Sequence, residues 1–206
     1  VTIPKVLGRT SSINVRKVLW TLDELGLAYE REDWGQGFAP TNDPKFVALN
    51  PNALVPVLID EHGPVWESNA ICRYVAADTP LFPAARRQRA LVDQWMDWQC
   101  TELNTAWRHA FAGLVRKIPG FDDPKQIAAS VTAWNTAMGL LSARLVDTGA
   151  YVAGDTFTLA DIVLGLSVHR WLFSPIARED WPTLTAYYER LRERPAFRTW
   201  SLPEVP

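Results

Sequence analysis

Apolar positions along this chain change period near residue 80, and the two periods predict two kinds of structure. Before that point, short strand-like runs alternate with helical patterns. Residues 5–8, opened by Pro4, read as a short strand. Val15, Val18, Leu19, Leu22 and Leu25 then recur at helical spacing. Gly26 stands just past them, where a residue tolerant of left-handed backbone ends a helix. Residues 29–33 predict a second strand and complete a β-α-β unit. Residues 42–49 read as a short helix with Pro44 in its first turn, where the missing N–H costs nothing. Residues 54–59 and 64–66 flank Glu61-His62-Gly63, a hairpin signal, and residues 68–77 are helical again.

Thr79-Pro80-Leu81-Phe82-Pro83 interrupts this order, because two prolines so close break both helix and strand. Everything after it has helical period. Residues 86–114 predict one long helix, 123–145 a second, and 158–172, 182–192 and 196–200 three more. The expected organisation is a mixed α/β domain over residues 1–79, a linker at 80–85 and an all-helical domain over 86–206. Ahead of the third of these helices, Thr158 can cap and Asp161 can reach back to the cap N–H, with Phe157 and Ile162 at the spacing of a hydrophobic staple.

Composition narrows the function classes. Of 206 residues, 48% are hydrophobic and 21% charged, and the net charge is −2, so nothing in bulk charge favours nucleic acid or an anionic membrane. No apolar run reaches membrane-spanning length and the first residues lack a signal-peptide pattern, so the expected location is cytoplasmic. Cys72 and Cys100 show neither CxxC nor zinc spacing; a reducing compartment is expected, with both thiols buried as small hydrophobes. No His, Cys and carboxylate group has metal-ligand spacing, so no metal is expected. His62 in a turn and His169 on an apolar helix read as structural. Most of the ten Trp are expected in the core, with some available to line an apolar pocket.

The chemistry-bearing stretch runs from Asn50 to Ile71. Pro56 sits inside an apolar strand-type run, where it cannot donate to a ladder and where a cis bond is a frequent solution. Glu67-Ser68 stands directly before a helical pattern, placing polar side chains and helix-start N–H groups together as an anion site. A strand edge beside such a helix start suits a short acidic peptide. Val55-Pro56 followed by Glu67-Ser68 resembles the glutathione-binding half of a cytosolic glutathione transferase. The order β-α-β-α-β-β-α likewise resembles a thioredoxin-like domain. The residues around Asp161 resemble the family's interior-helix motif, and Arg194-Pro195-Ala196-Phe197-Arg198 extends the likeness to the end of the chain. The family motif often has Gly where Ala53 stands.

The resemblance implies a bacterial-type enzyme of the serine or serine/asparagine kind, which takes glutathione as co-substrate and transfers its thiolate to a hydrophobic electrophile, as in detoxification. A free thiol has a pKa of about 8.5 and must be lowered by a hydrogen-bond donor and a helix N-terminus. The turn Gly8-Arg9-Thr10-Ser11-Ser12-Ile13-Asn14 carries the donors. Serine-type members place a hydroxyl about five positions before a basic residue of the first helix; counting back from Lys17 gives Ser12, with Ser11 as competitor and Asn14 as a second donor. Ser12 also suits the plainer role of helix N-cap. Val55 would bind glutathione through its backbone beside Pro56, and Glu67 and Ser68 would take the γ-glutamyl end. Asn52, Gln36 and Lys45 are candidates for the glycyl carboxylate. Arg9, Thr10, Trp34 and Phe38 would face the electrophile, with Trp107, Phe111 and Leu114 opposite. A homodimer is implied, with Ile71, Arg73 and Tyr74 packing against Arg89, Trp95 and Asp97 of the partner. Rival readings are a glutathione- or ligand-binding protein without catalysis, a dehalogenase, isomerase or peroxidase of the same fold, and a redox thiol enzyme. The last is disfavoured because the first helix start lacks Cys.

Overall fold

The structure, a computed structural model, describes residues 3–203. The chain divides between Phe82 and Pro83 into two compact units. The first holds strands β1 (Lys5–Leu7), β2 (Glu30–Glu32), β3 (Val57–Asp60) and β4 (Gly63–Trp66), with helices α1 (Ile13–Glu24), α2 (Pro44–Val47) and α3 (Ser68–Val75). The sheet order is β2-β1-β3-β4, β1 running parallel to β2 and antiparallel to β3. This is the thioredoxin-like order β-α-β-α-β-β-α.

Alternation along the strands assigns the two faces. Leu7 and Val57 are register partners and cluster with Phe46 of α2. Val6 and Leu58, the next pair, are buried on the opposite face, where α1 packs on α3. Thr21 of α1 donates to the Cys72 sulfur of α3 at 3.3 Å.

Several boundaries differ from the periodicity. Strand β3 opens at Val57 rather than residue 54, because the Val55–Pro56 bond is cis and Pro56 has no N–H to pair. Helix α1 begins two residues earlier than its apolar stripe, at Ile13. Helix α2 spans four residues, its start set by Asp43, whose carboxylate accepts from Lys45 N–H at 2.8 Å.

The second unit is helical: α4 (Arg86–Trp98), α5 (Asn104–Leu114), α6 (Pro124–Thr148), α7 (Leu159–Phe173), α8 (Pro182–Arg192) and α9 (Pro195–Trp200). The single long helix expected over 86–114 is interrupted by a π-helical turn, Gln99–Leu103. Such a turn shifts the exposed face by one residue, a change that an apolar stripe does not reveal. Helix α6 is capped by Asp123 and stops at Gly149 in left-handed backbone (φ 76°). Helix α7 is buried along nearly its whole length. Its start carries the expected capping box, with Asp161 accepting from Thr158 N–H at 2.9 Å. The same carboxylate accepts from Val152 N–H (2.9 Å) and Tyr187 hydroxyl (3.0 Å), so it ties three segments together. Burial pushes its pKa up to about 6 against the lowering pull of these donors. His169 is also a structural group: its Nε2 donates to Leu202 carbonyl (2.9 Å), which leaves Nδ1 to accept from Tyr188 hydroxyl (2.9 Å).

Three expectations need correction, two from composition and one from the implied dimer. Cys100 is exposed, because the π-helical turn presents it to solvent; only Cys72 is buried. Of the ten Trp only Trp20, Trp134 and Trp171 are buried; the others are half-buried or, like Trp66, exposed. Ile71 is fully buried against its own unit and cannot serve a partner, whereas Tyr74 on the other side of α3 is exposed.

Candidate functional site

Register decides what meets at one end of the sheet. Leu7 pairs with both Glu32 and Val57, and Val57 with Trp66. The exits of β1, β2 and β4 and the entry to β3 therefore share that end. The turn 8–12, the loop after β2, the cis Val55–Pro56 segment and the start of α3 all emerge there. Backbone bonds fasten them: Gly8 N–H donates to Glu32 carbonyl (2.8 Å) and Arg9 N–H to Trp34 carbonyl (3.2 Å). Gly8 is at φ 149°, and a Cβ on it would stand 2.5 Å from Val15 Cγ2 and 3.1 Å from Val55 Cβ. Only glycine lets the start of α1 and the segment before the cis bond approach so closely.

Ser12 is the N-cap residue of α1 by position, yet its hydroxyl makes no capping hydrogen bond. The first helical N–H to bond back is that of Arg16, to Ser12 carbonyl (3.0 Å). The N–H groups of the first turn, Asn14 among them, thus project past the helix end, where the helix dipole adds positive potential. Ser12 and Asn14 are half-buried, as is Ser11. Thr10 is half-buried in the same turn, and Arg9 lies across the loop after β2, where a Cβ at Gly35 would stand 2.3 Å from its guanidinium.

Val55 lies outside the β1–β3 ladder, which opens at Val57, so its backbone is not engaged in the sheet. The preceding turn is set by Asn50, a residue that the sequence reading passed over. Its buried amide donates to Leu54 carbonyl (2.8 Å) and accepts from both the N–H (3.0 Å) and the side chain (3.1 Å) of Asn52. Asn followed by Pro51 is a turn signal that could have identified it. Asn52 is partly committed to that turn. Ala53 stands at φ 53°, a backbone region that favours glycine.

Glu67 sits at φ 70°, exposed, at the N-cap of α3 with no side-chain capping bond; Ser68 behind it is buried. A non-glycine residue held in left-handed backbone carries a conformational cost that the surrounding structure must offset. Of the outer candidates, Gln36, Phe38 and Lys45 are exposed. Trp34 packs on Phe46 (centroids 5.0 Å apart) and donates to Glu32 (2.9 Å). In the helical unit, Trp107 and Phe111 meet edge to face at 5.3 Å and Leu114 is half-buried.

Neither cysteine of this chain stands among these segments. The Cys72 thiol is pushed up to about 11 by burial and stays protonated. Among the described residues no group of His, Cys, Asp and Glu side chains is placed to hold a metal ion, and no helix is long and apolar enough to cross a membrane.

Comparison with known proteins bears on the whole chain. Residues 5–77 match the family "Glutathione S-transferase, N-terminal domain" and residues 124–190 "Glutathione S-transferase, C-terminal domain". Glutathione S-transferase GstB of Escherichia coli K12 is 38% identical over 196 residues, covering 93% of this chain and 94% of that protein. This chain belongs to the glutathione S-transferase family. A theta-class glutathione S-transferase from Xanthomonas axonopodis pv. citri, crystallised with glutathione bound, is 39% identical and superposes with a TM-score of 0.91 over 98% of each chain. A more distant relative, elongation factor 1-gamma 2 of rice, is 27% identical over 90% of this chain but only 45% of its own length.

Proposed function

We propose that this glutathione transferase holds glutathione at the shared end of the sheet and ionises its thiol with Ser12. In this serine-type reading, the Ser12 hydroxyl donates to the glutathione sulfur, with Asn14 as a second donor and Ser11 as the alternative. The first-turn N–H groups of α1 favour the anion. Val55 pairs its backbone with the cysteinyl unit, strand to strand, beside Pro56. Glu67 and Ser68 take the γ-glutamyl end, Asn52 or Gln36 the glycyl carboxylate. The thiol proton leaves to solvent, the sulfur lone pair attacks an electrophilic carbon, and the leaving group or π bond takes up the displaced electrons. Arg9, Thr10, Trp107 and Phe111 are assigned to the electrophile. Glutathione binding belongs to residues 1–79, and residues 86–206 contribute lining to the electrophile site, in a cytoplasmic homodimer using Arg73 and Tyr74 without Ile71. Sedimentation at micromolar protein tests the dimer; a monomer overturns it.

The observation that supports this reading is the Ser12 hydroxyl, which makes no capping bond while standing at a helix start that converges on cis Val55–Pro56 and Glu67. The test is an ultraviolet titration of the thiolate of bound glutathione. Ionisation well below about 8.5 is expected in the native protein. Ser12→Ala should raise that value by roughly 1–2 units, since a hydrogen bond to a charged group contributes about 1.5–3 kcal/mol. Ionisation that survives in Ser12→Ala transfers the role to Asn14 or Ser11. Binding without ionisation favours the carrier reading.

A further inference from the structure

Trp107 and Phe111, assigned above to the electrophile, line a cleft within the helical unit. Helix α5 and the chain returning after it border an open cavity of about 530 Å³, within the ~300–1,000 Å³ usual for small-ligand sites. Gly113 makes this closure possible: a Cβ there would stand 2.2 Å from the Phe121 carbonyl oxygen, so any other residue would push the returning loop away. Ile118 N–H donates to Ala112 carbonyl (3.0 Å), and Lys117 and Gly120 adopt left-handed backbone (φ 49° and 85°) to make the turn.

The lining combines aromatic walls with cations. Trp107, Phe111 and Phe121 supply the walls, and Arg108, Arg116 and Asn104 the polar groups; no carboxylate lines the cavity. Behind the walls lies a third cation. Arg170 of α7 is buried, its guanidinium carbon 4.0 Å from the Phe111 ring centre and 4.5 Å from that of Trp107. The Arg116 guanidinium stands 5.5 Å from Phe111. A guanidinium set against an aromatic face is attracted by the ring quadrupole, which helps fix these side chains in place. Arg108 has no hydrogen bond or ion pair among the described residues, so its planar fork can take a carboxylate through two parallel bonds.

We propose that this cavity binds an aromatic carboxylate, the ring against Trp107 and Phe121 and the carboxylate on Arg108 and Arg116. The binding stands by itself. Its use rests on the transferase reading, in which the cavity would select anionic aromatic electrophiles over neutral ones. The experiment is isothermal titration of the full chain with 2-naphthoate and with its methyl ester, on native protein and on Arg108→Gln. One naphthoate site is expected, with weak binding of the ester, affinity falling as salt rises, and a loss of ~10- to 100-fold in Arg108→Gln. Arg108 is exposed, so the variant should fold, and circular dichroism verifies it. Absent binding, equal binding of the ester, or native affinity in the variant overturns the inference. The glutathione thiolate is titrated on the same samples. Naphthoate binding without thiolate sinks the transferase mechanism and leaves the cavity assignment. Thiolate without naphthoate binding sinks only the cavity assignment.

Discussion

Replacing Asp161 tests whether one buried carboxylate both caps α7 and carries a penalty for burial. In the native protein its Oδ1 accepts from Val152 N–H and Tyr187 hydroxyl, its Oδ2 from Thr158 N–H and, at 3.2 Å, Thr158 hydroxyl. Asparagine keeps one acceptor and turns an amide donor toward the other N–H, so Asp161→Asn should cost about 1–3 kcal/mol at pH 7.5. Alanine abandons the cap and strands several buried donors; about 3–6 kcal/mol is expected. The size depends on pH in a defined direction. The folded pKa is raised from 3.8 to about 6, so the folded state holds the proton more tightly. That contribution is fully present below the unfolded value and is lost as pH rises through about 6. Between pH 7.5 and 4.5 the native protein gains about 2 kcal/mol from this group that the asparagine variant cannot gain. The deficit of Asp161→Asn should therefore widen on acidification. Urea unfolding followed by far-ultraviolet circular dichroism at both pH values measures it. A deficit that stays constant, or widens toward alkaline pH, would refute the burial argument.

Two further predictions concern the first unit and the thiols. Gly8→Ala forces a Cβ into Val15 and Val55 at a backbone angle that suits only glycine; it should destabilise by about 1–3 kcal/mol and weaken glutathione binding, and unchanged calorimetric affinity would contradict the close approach. With a thiol-reactive chromophore, Cys100 should react in the native protein and Cys72 only after unfolding; two rapid equivalents in native buffer would contradict the burial of Cys72.

Local chemistry made much of this protein legible in its sequence. Apolar period separated the mixed unit from the helical one, because strands repeat every two residues and helices every 3.6. Pro56 announced an interruption of the ladder through its missing N–H, and Thr158 with Asp161 announced a helix start, since capping is a contact three residues long. Other features needed the tertiary structure because they depend on approach between distant segments. The register Leu7–Val57–Trp66 brings the ends of three strands together, and no spacing rule gives that pairing. The π-helical turn that exposes Cys100 and the own-unit packing that buries Ile71 rotate side chains by less than an apolar stripe can register. The cavity beside α5 exists because Gly113 admits the carbonyl of Phe121, a contact between helix and loop that a lone glycine in a helical pattern does not disclose. Sequence fixes what each short segment prefers; which preferences meet, and which faces are left open for a ligand, is decided by packing.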